Sequence, residues 1–102
     1  MIEIEFHDGI TNIRFPKQVL VAQSHGIRET MLALVEKGFR NLVISFANVE
    51  ILDSAGLGLL ISVEKALDLK NGVMKVIEVP HKIMAIMKIM SLHKHFEITT
   101  RG

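Results

Sequence analysis

The sequence predicts a single α/β domain over residues 1–102, with a mixed, mostly parallel sheet of four or five strands and three or four packed helices. Three observations carry this reading. Apolar residues alternate at period two near the N-terminus, then switch to helical spacing from about Ser24. Beyond that point, short apolar runs and helical stretches take turns, and such alternation joins parallel strands through right-handed crossovers. The length of 102 residues fits one domain, and no repeat, linker or low-complexity stretch divides it.

Ile2, Ile4 and Phe6 alternate with Glu3, Glu5 and His7, which reads as a half-buried strand. Asp8-Gly9 follows, a strong two-residue hairpin signal. Ile10, Thr11, Ile13 and Phe15 form the returning strand, ended by Pro16, which cannot donate to a ladder. Ile27, Met31, Leu34 and Val35 make one face of a first helix, with Ser24 expected as its N-cap and Gly38 just past its end. Leu42, Val43, Ile44 and Phe46 are expected to form a strand buried on both faces. A second helix follows Asp53 and Ser54, with Leu57, Leu60, Ile61, Val63 and Leu67 inward and Asn71-Gly72 closing it. Val73, Val76, Ile77 and Val79 form another buried strand before Pro80. A third helix runs from about His81 to Met90, with Ile83, Ile86, Met87 and Met90 expected inward and Met84 and Ile89 outside that stripe. A short strand near Phe96 to Thr99 completes the chain.

Composition narrows the function classes. A net charge of +1 gives no large overall electrostatic footprint for nucleic acid or an anionic membrane. The absence of Cys excludes disulfides and thiolate chemistry and is compatible with a reducing compartment. Glu3, Glu5 and Asp8 fall where a signal peptide would need basic and apolar residues, and no apolar run approaches the ~20 residues of a membrane span. Without Trp or Tyr, aromatic platforms for single strands are wanting.

The informative segment is Asp53-Ser54-Ala55-Gly56-Leu57-Gly58. It lies between a buried strand and a helix, where open α/β sheets place their working sites. Asp53 or Ser54 can cap the helix by accepting an otherwise unpaired N–H. A capped start does not account for the glycines, each of which costs roughly 0.5–1 kcal/mol relative to alanine. Close approach of another chain would account for them.

The run Asn48-Val-Glu-Ile-Leu-Asp-Ser-Ala-Gly-Leu-Gly58 resembles the signature of STAS domains, the sulphate-transporter and anti-sigma-factor-antagonist family. Element order and length are similar as well, so the resemblance spans essentially the whole chain. It implies a non-catalytic, cytoplasmic, protein-binding module. It also implies that Ser54 is phosphorylated by a partner kinase that doubles as an anti-sigma factor, and that a serine phosphatase reverses this. Asp53, Ala55, Gly56, Leu57 and Gly58 would shape the loop that the partner contacts. The resemblance calls for no cofactor, no metal, no direct nucleic-acid contact and no membrane insertion. It equally accommodates a constitutive subunit of a transport, lipid-trafficking or biofilm and stress-signalling complex. The chain departs from the family at Pro16-Lys17-Gln18-Val19, where a Gly-Glu-Leu-Asp-like run is common, and at Ser45, where many members carry Asp. In the family both places lie near the serine.

Other candidates are weaker. Ser54 as a hydrolase nucleophile lacks the first glycine of Gly-x-Ser-x-Gly, because Leu52 stands there. A small-ligand sensor using a pocket beside Ser54 is the remaining alternative. The five histidines, among them His93 and His95, follow no metal-ligand pattern. Ser45 is expected to be buried in its strand and Ser62 lies in mid-helix, so neither suits a kinase.

Overall fold

The computed structural model describes residues 1–101. Strands β1 (Glu3–His7) and β2 (Ile10–Arg14) form an antiparallel hairpin. Its two turn residues, Asp8 and Gly9, have φ of 50° and 78°. Positive φ at both positions is what a two-residue hairpin turn needs. The chain continues through β3 (Gln18–Val19), α1 (Val21–Glu36), β4 (Asn41–Ser45), β5 (Ile51–Leu52), α2 (Ser54–Leu69), β6 (Val73–Val79) and α3 (His81–Ile89). A single 3-10 turn (Leu92–Lys94) leads into β7 (Glu97–Thr100).

The main sheet has the order β1-β2-β4-β6-β7, antiparallel at the hairpin and parallel elsewhere. The mixed α/β architecture is therefore the expected one. The sequence gives no periodic signal for β3 and β5, each two residues long, which pair in a separate parallel ladder. That ladder lies against the first turn of α2 and shapes the candidate site.

The central strands differ from expectation. Leu42, Ile44, Met74 and Val76 are buried, but Val43, Ser45, Lys75 and Ile77 between them are only half-buried. One core cluster gathers residues of all three helices against the face carrying Leu42 and Ile44. The other face is open to solvent, so β4 and β6 alternate instead of burying both sides. Register partners Thr11, Leu42 and Met74, then Ile13, Ile44 and Val76, lie side by side on the covered face. Phe15 and Phe46 extend it, their rings 5.3 Å apart.

A β-bulge near the end of β6 lies between Val76 and Val79. Glu78 there has φ of 58°, a conformation that few non-glycine residues adopt. The extra residue lets both Val76 and Val79 reach the core despite their odd spacing. Glu78 Oε1 accepts a hydrogen bond of 2.7 Å from the Ser45 hydroxyl. Ser45 is thus half-buried on the open face, contrary to the expectation that it is buried in its strand.

Two further expectations are corrected. Helix α1 begins at Val21 with Leu20 as N-cap, so Ser24 is not the cap. Ser24 is buried in the first turn, its hydroxyl donating to Val21 O at 3.2 Å. Leucine offers no acceptor, and the Leu20 N–H instead donates to Gln23 Oε1 at 3.1 Å. On α3, the buried residues are Ile83, Met84 and Met87, whereas Ile86 and Met90 are exposed along with Ile89. Helical spacing allowed either stripe; the side of α3 that carries Met84 is the one turned to the core.

Candidate functional site

The site is built where β5 enters α2. Asp53 has φ of −112° and ψ of −175°, the extended geometry of an N-cap. Its Oδ1 accepts from the N–H of Gly56, the third residue of the helix, at 3.1 Å. Its Oδ2 accepts from the Val21 N–H at 3.0 Å. One carboxylate therefore caps α2 and also satisfies the first backbone donor of α1. Of the two candidates for the cap, Asp53 is the one used, which leaves Ser54 free for another role.

Ser54 is the first residue of α2 and is exposed. The N–H groups of Ser54 and Ala55 have no acceptor among the described residues. Free donors at a helix N-terminus favour an anion held there. Ala55 is half-buried beside them, while Gly56 and Leu57 are buried. Leu57 fixes the loop from within the core, and its N–H donates to Asp53 O at 3.1 Å.

The two glycines have separate reasons. A Cβ on Gly56 would lie 2.5 Å from Val19 O and 2.6 Å from Leu52 Cδ1. Gly56 is bare because the β3–β5 ladder passes directly beneath it, a contact within this chain and not with a partner. Gly58 would meet nothing within 4 Å and faces solvent. Only for Gly58 does the expectation of space left for another molecule remain.

Pro16-Lys17-Gln18-Val19 is a structural part of this site. Lys17 O accepts from the Glu50 and Ile51 N–H groups at 2.8 and 3.1 Å, and Val19 O accepts from the Asp53 N–H at 3.3 Å. Sequence reasoning saw this run only as a departure from the family pattern. A β-branched residue just before the helix start was the one signal available. Ser45, the other departure, stands on the open sheet face with Glu78, away from α2. The histidines are all exposed, and among the described residues no group of three His, Cys, Asp or Glu is placed to hold a metal. Ser62 is half-buried and donates to Gly58 O at 3.1 Å.

An exposed serine opening a helix that follows a short strand, on an open-faced mixed sheet, places the chain among small mixed α/β domains with helices packed on one sheet face. The chain belongs to the STAS domain family, whose model matches residues 1–101. It is 28% identical over 94 residues to the anti-sigma F factor antagonist of Paenibacillus polymyxa, covering 91% of this chain and 80% of that one. Its fold is similar to that of an anti-sigma factor antagonist from Mycobacterium paratuberculosis, with TM-score 0.87, 22% identity and coverage of 97% and 84% of the two chains. It is also similar to the phosphorylated form of the Bacillus cell fate determinant SpoIIAA, with TM-score 0.78, 16% identity and coverage of 98% and 92%.

Proposed function

We propose that this protein is a phosphorylation-controlled binding module of the anti-sigma-factor-antagonist type. It binds a partner kinase that is also an anti-sigma factor when Ser54 carries a free hydroxyl, and it is released when Ser54 is phosphorylated. A serine phosphatase restores the binding form. The module performs no catalysis and works in the cytoplasm. The observation that carries this reading is the exposed Ser54 at the start of α2, with its cap supplied by Asp53 and the open Gly58 one turn on. The antagonist relative from Paenibacillus polymyxa and the phosphorylated SpoIIAA structure support it.

The physics of the switch is local. A phosphate adds about −1.5 to −2 charges and three acceptor oxygens. The free N–H groups of Ser54 and Ala55 tolerate it, so the domain keeps its fold. A partner packed over Gly58 does not tolerate it, because desolvating such a charge in an interface costs several kcal/mol per ion. At about 1.4 kcal/mol per tenfold, binding falls a hundredfold or more.

Phosphopeptide mass spectrometry on the protein from its own cells, across growth and stress conditions, tests this. Occupancy of Ser54 that changes with condition is expected. A serine that stays unmodified throughout, or a stable complex that survives Ser54→Asp, refutes the switch in favour of a constitutive subunit.

A further inference from the structure

The near-neutral net charge hides a segregated distribution. From Val79 to Phe96 the chain has no Asp or Glu, but it contains Lys82, Lys88 and Lys94 together with His81, His93 and His95. None of these three lysines is in a salt bridge among the described residues, whereas Lys70 and Lys75 are paired with Glu36 and Glu97. The same segment displays apolar side chains to solvent: Ile89 is 81% exposed, Met90 54% and Ile86 41%. Lys82, Ile86 and Ile89 are spaced i, i+4, i+7 and so form one outward row on α3.

Lys82 also lines a cleft of about 390 Å³ at the head of α3, with Lys17, His81 and Arg101. Glu50 is the one carboxylate on its wall, and the backbone of residues 47–49 and Pro80 completes it. Arg101 is held across the cleft by donating to Ala47 O. A cation-lined cleft therefore opens beside an apolar helix face rimmed by lysines.

We propose that α3 and this cleft form a docking surface for an anionic phospholipid bilayer. A headgroup phosphate sits among Lys17, Lys82 and Arg101, while Ile86, Ile89 and Met90 enter the headgroup boundary. Peripheral helices bind in this way, through apolar burial combined with attraction to anionic lipid. A second copy of the chain is a poor occupant, because it would bring the unpaired lysines face to face. A protein partner fits less well than lipid, because α3, which supplies the apolar contact, carries none of the Trp, Tyr or Arg anchors of protein hot spots. No helix among the described residues is long and apolar enough to cross a membrane, so the contact is at the surface. This inference is independent of Ser54 and stands or falls separately from the switch.

The experiment is co-sedimentation of the full chain with unilamellar vesicles of equal phosphatidylglycerol and phosphatidylcholine, and with phosphatidylcholine alone, at low and raised salt. Sedimentation with the anionic vesicles only, weakened by salt, is expected. Lys82→Gln and Lys88→Gln each weaken it by about fivefold, while Lys65→Gln on α2 leaves it unchanged. Ile86→Ser with Ile89→Ser removes it, and because both side chains are exposed, circular dichroism shows an intact fold. Absence of binding to anionic vesicles, equal binding to neutral ones, or binding undiminished in the Ile86→Ser, Ile89→Ser variant overturns the proposal. In the first of these cases an acidic protein surface becomes the occupant to seek.

Discussion

Replacing Gly56 by alanine is the sharpest probe of how the site is built. In an ordinary helix this change stabilises by roughly 0.5–1 kcal/mol, because alanine loses less backbone freedom. Here the new Cβ would lie 2.5 Å from Val19 O and 3.0 Å from Val19 Cγ1. The leucine methyl of Leu52 can swing away, but a backbone carbonyl in the β3–β5 ladder cannot do so cheaply. Either β3 separates from β5 or the first turn of α2 shifts outward, and overpacking of this kind costs about 1–3 kcal/mol. The net expectation for Gly56→Ala is a loss of about 1–2 kcal/mol, which for a domain of this size lowers Tm by roughly 4–15 °C. Gly58→Ala is the internal control, since its Cβ meets open space. It should raise stability by about 0.5–1 kcal/mol. Thermal and urea unfolding of the two variants, followed by circular dichroism, gives the two signs directly. A Gly56→Ala protein as stable as the parent, or a destabilised Gly58→Ala, would refute the packing described here.

Three further outcomes are expected. Asp53→Ala removes the acceptor of both Gly56 and Val21, and urea unfolding should register a loss of about 2 kcal/mol, beyond the ~1 kcal/mol of a typical single cap. Ser54→Asp should leave stability within about 0.5 kcal/mol of the parent in the same assay, since attraction to the helix N-terminus is offset by the adjacent Asp53 carboxylate. Ser91 precedes the 3-10 turn with φ of 61°, and Ser91→Gly should raise Tm by relieving a left-handed conformation that costs a side chain about 1–2 kcal/mol.

Much of the fold was legible because its elements announce themselves locally. The Asp8-Gly9 turn, the helical spacing of Ile27, Met31 and Leu34, and the apolar run of Leu42–Phe46 each depend on neighbours within a few residues. The site loop was legible for the same reason, Asp53 to Gly58 being contiguous. What could not be read depends on partners distant in sequence. The α1 start is capped from Asp53, 32 residues away, so Ser24 looked like the better cap. The clash that dictates Gly56 comes from Val19, and the two-residue strands that bring it there have no periodicity. Whether Leu42–Phe46 is covered on one face or both depends on which side the crossovers place the helices. The sequence offers no signal for that beyond Ser45 and Lys75 at the half-open positions.

The double engagement of Asp53 has a consequence for how the serine is reached. Drawing Ser54 into an extended conformation, as the proposed modification would require, unwinds the first turn of α2 and pulls Asp53 away from Val21 as well. The two helix ends therefore fray together, and their amide protons should exchange as one cooperative unit. Opening of the first turn of α2 is thus coupled to α1, which carries no part of the Asp53–Gly58 loop and yet helps to set how readily that turn opens.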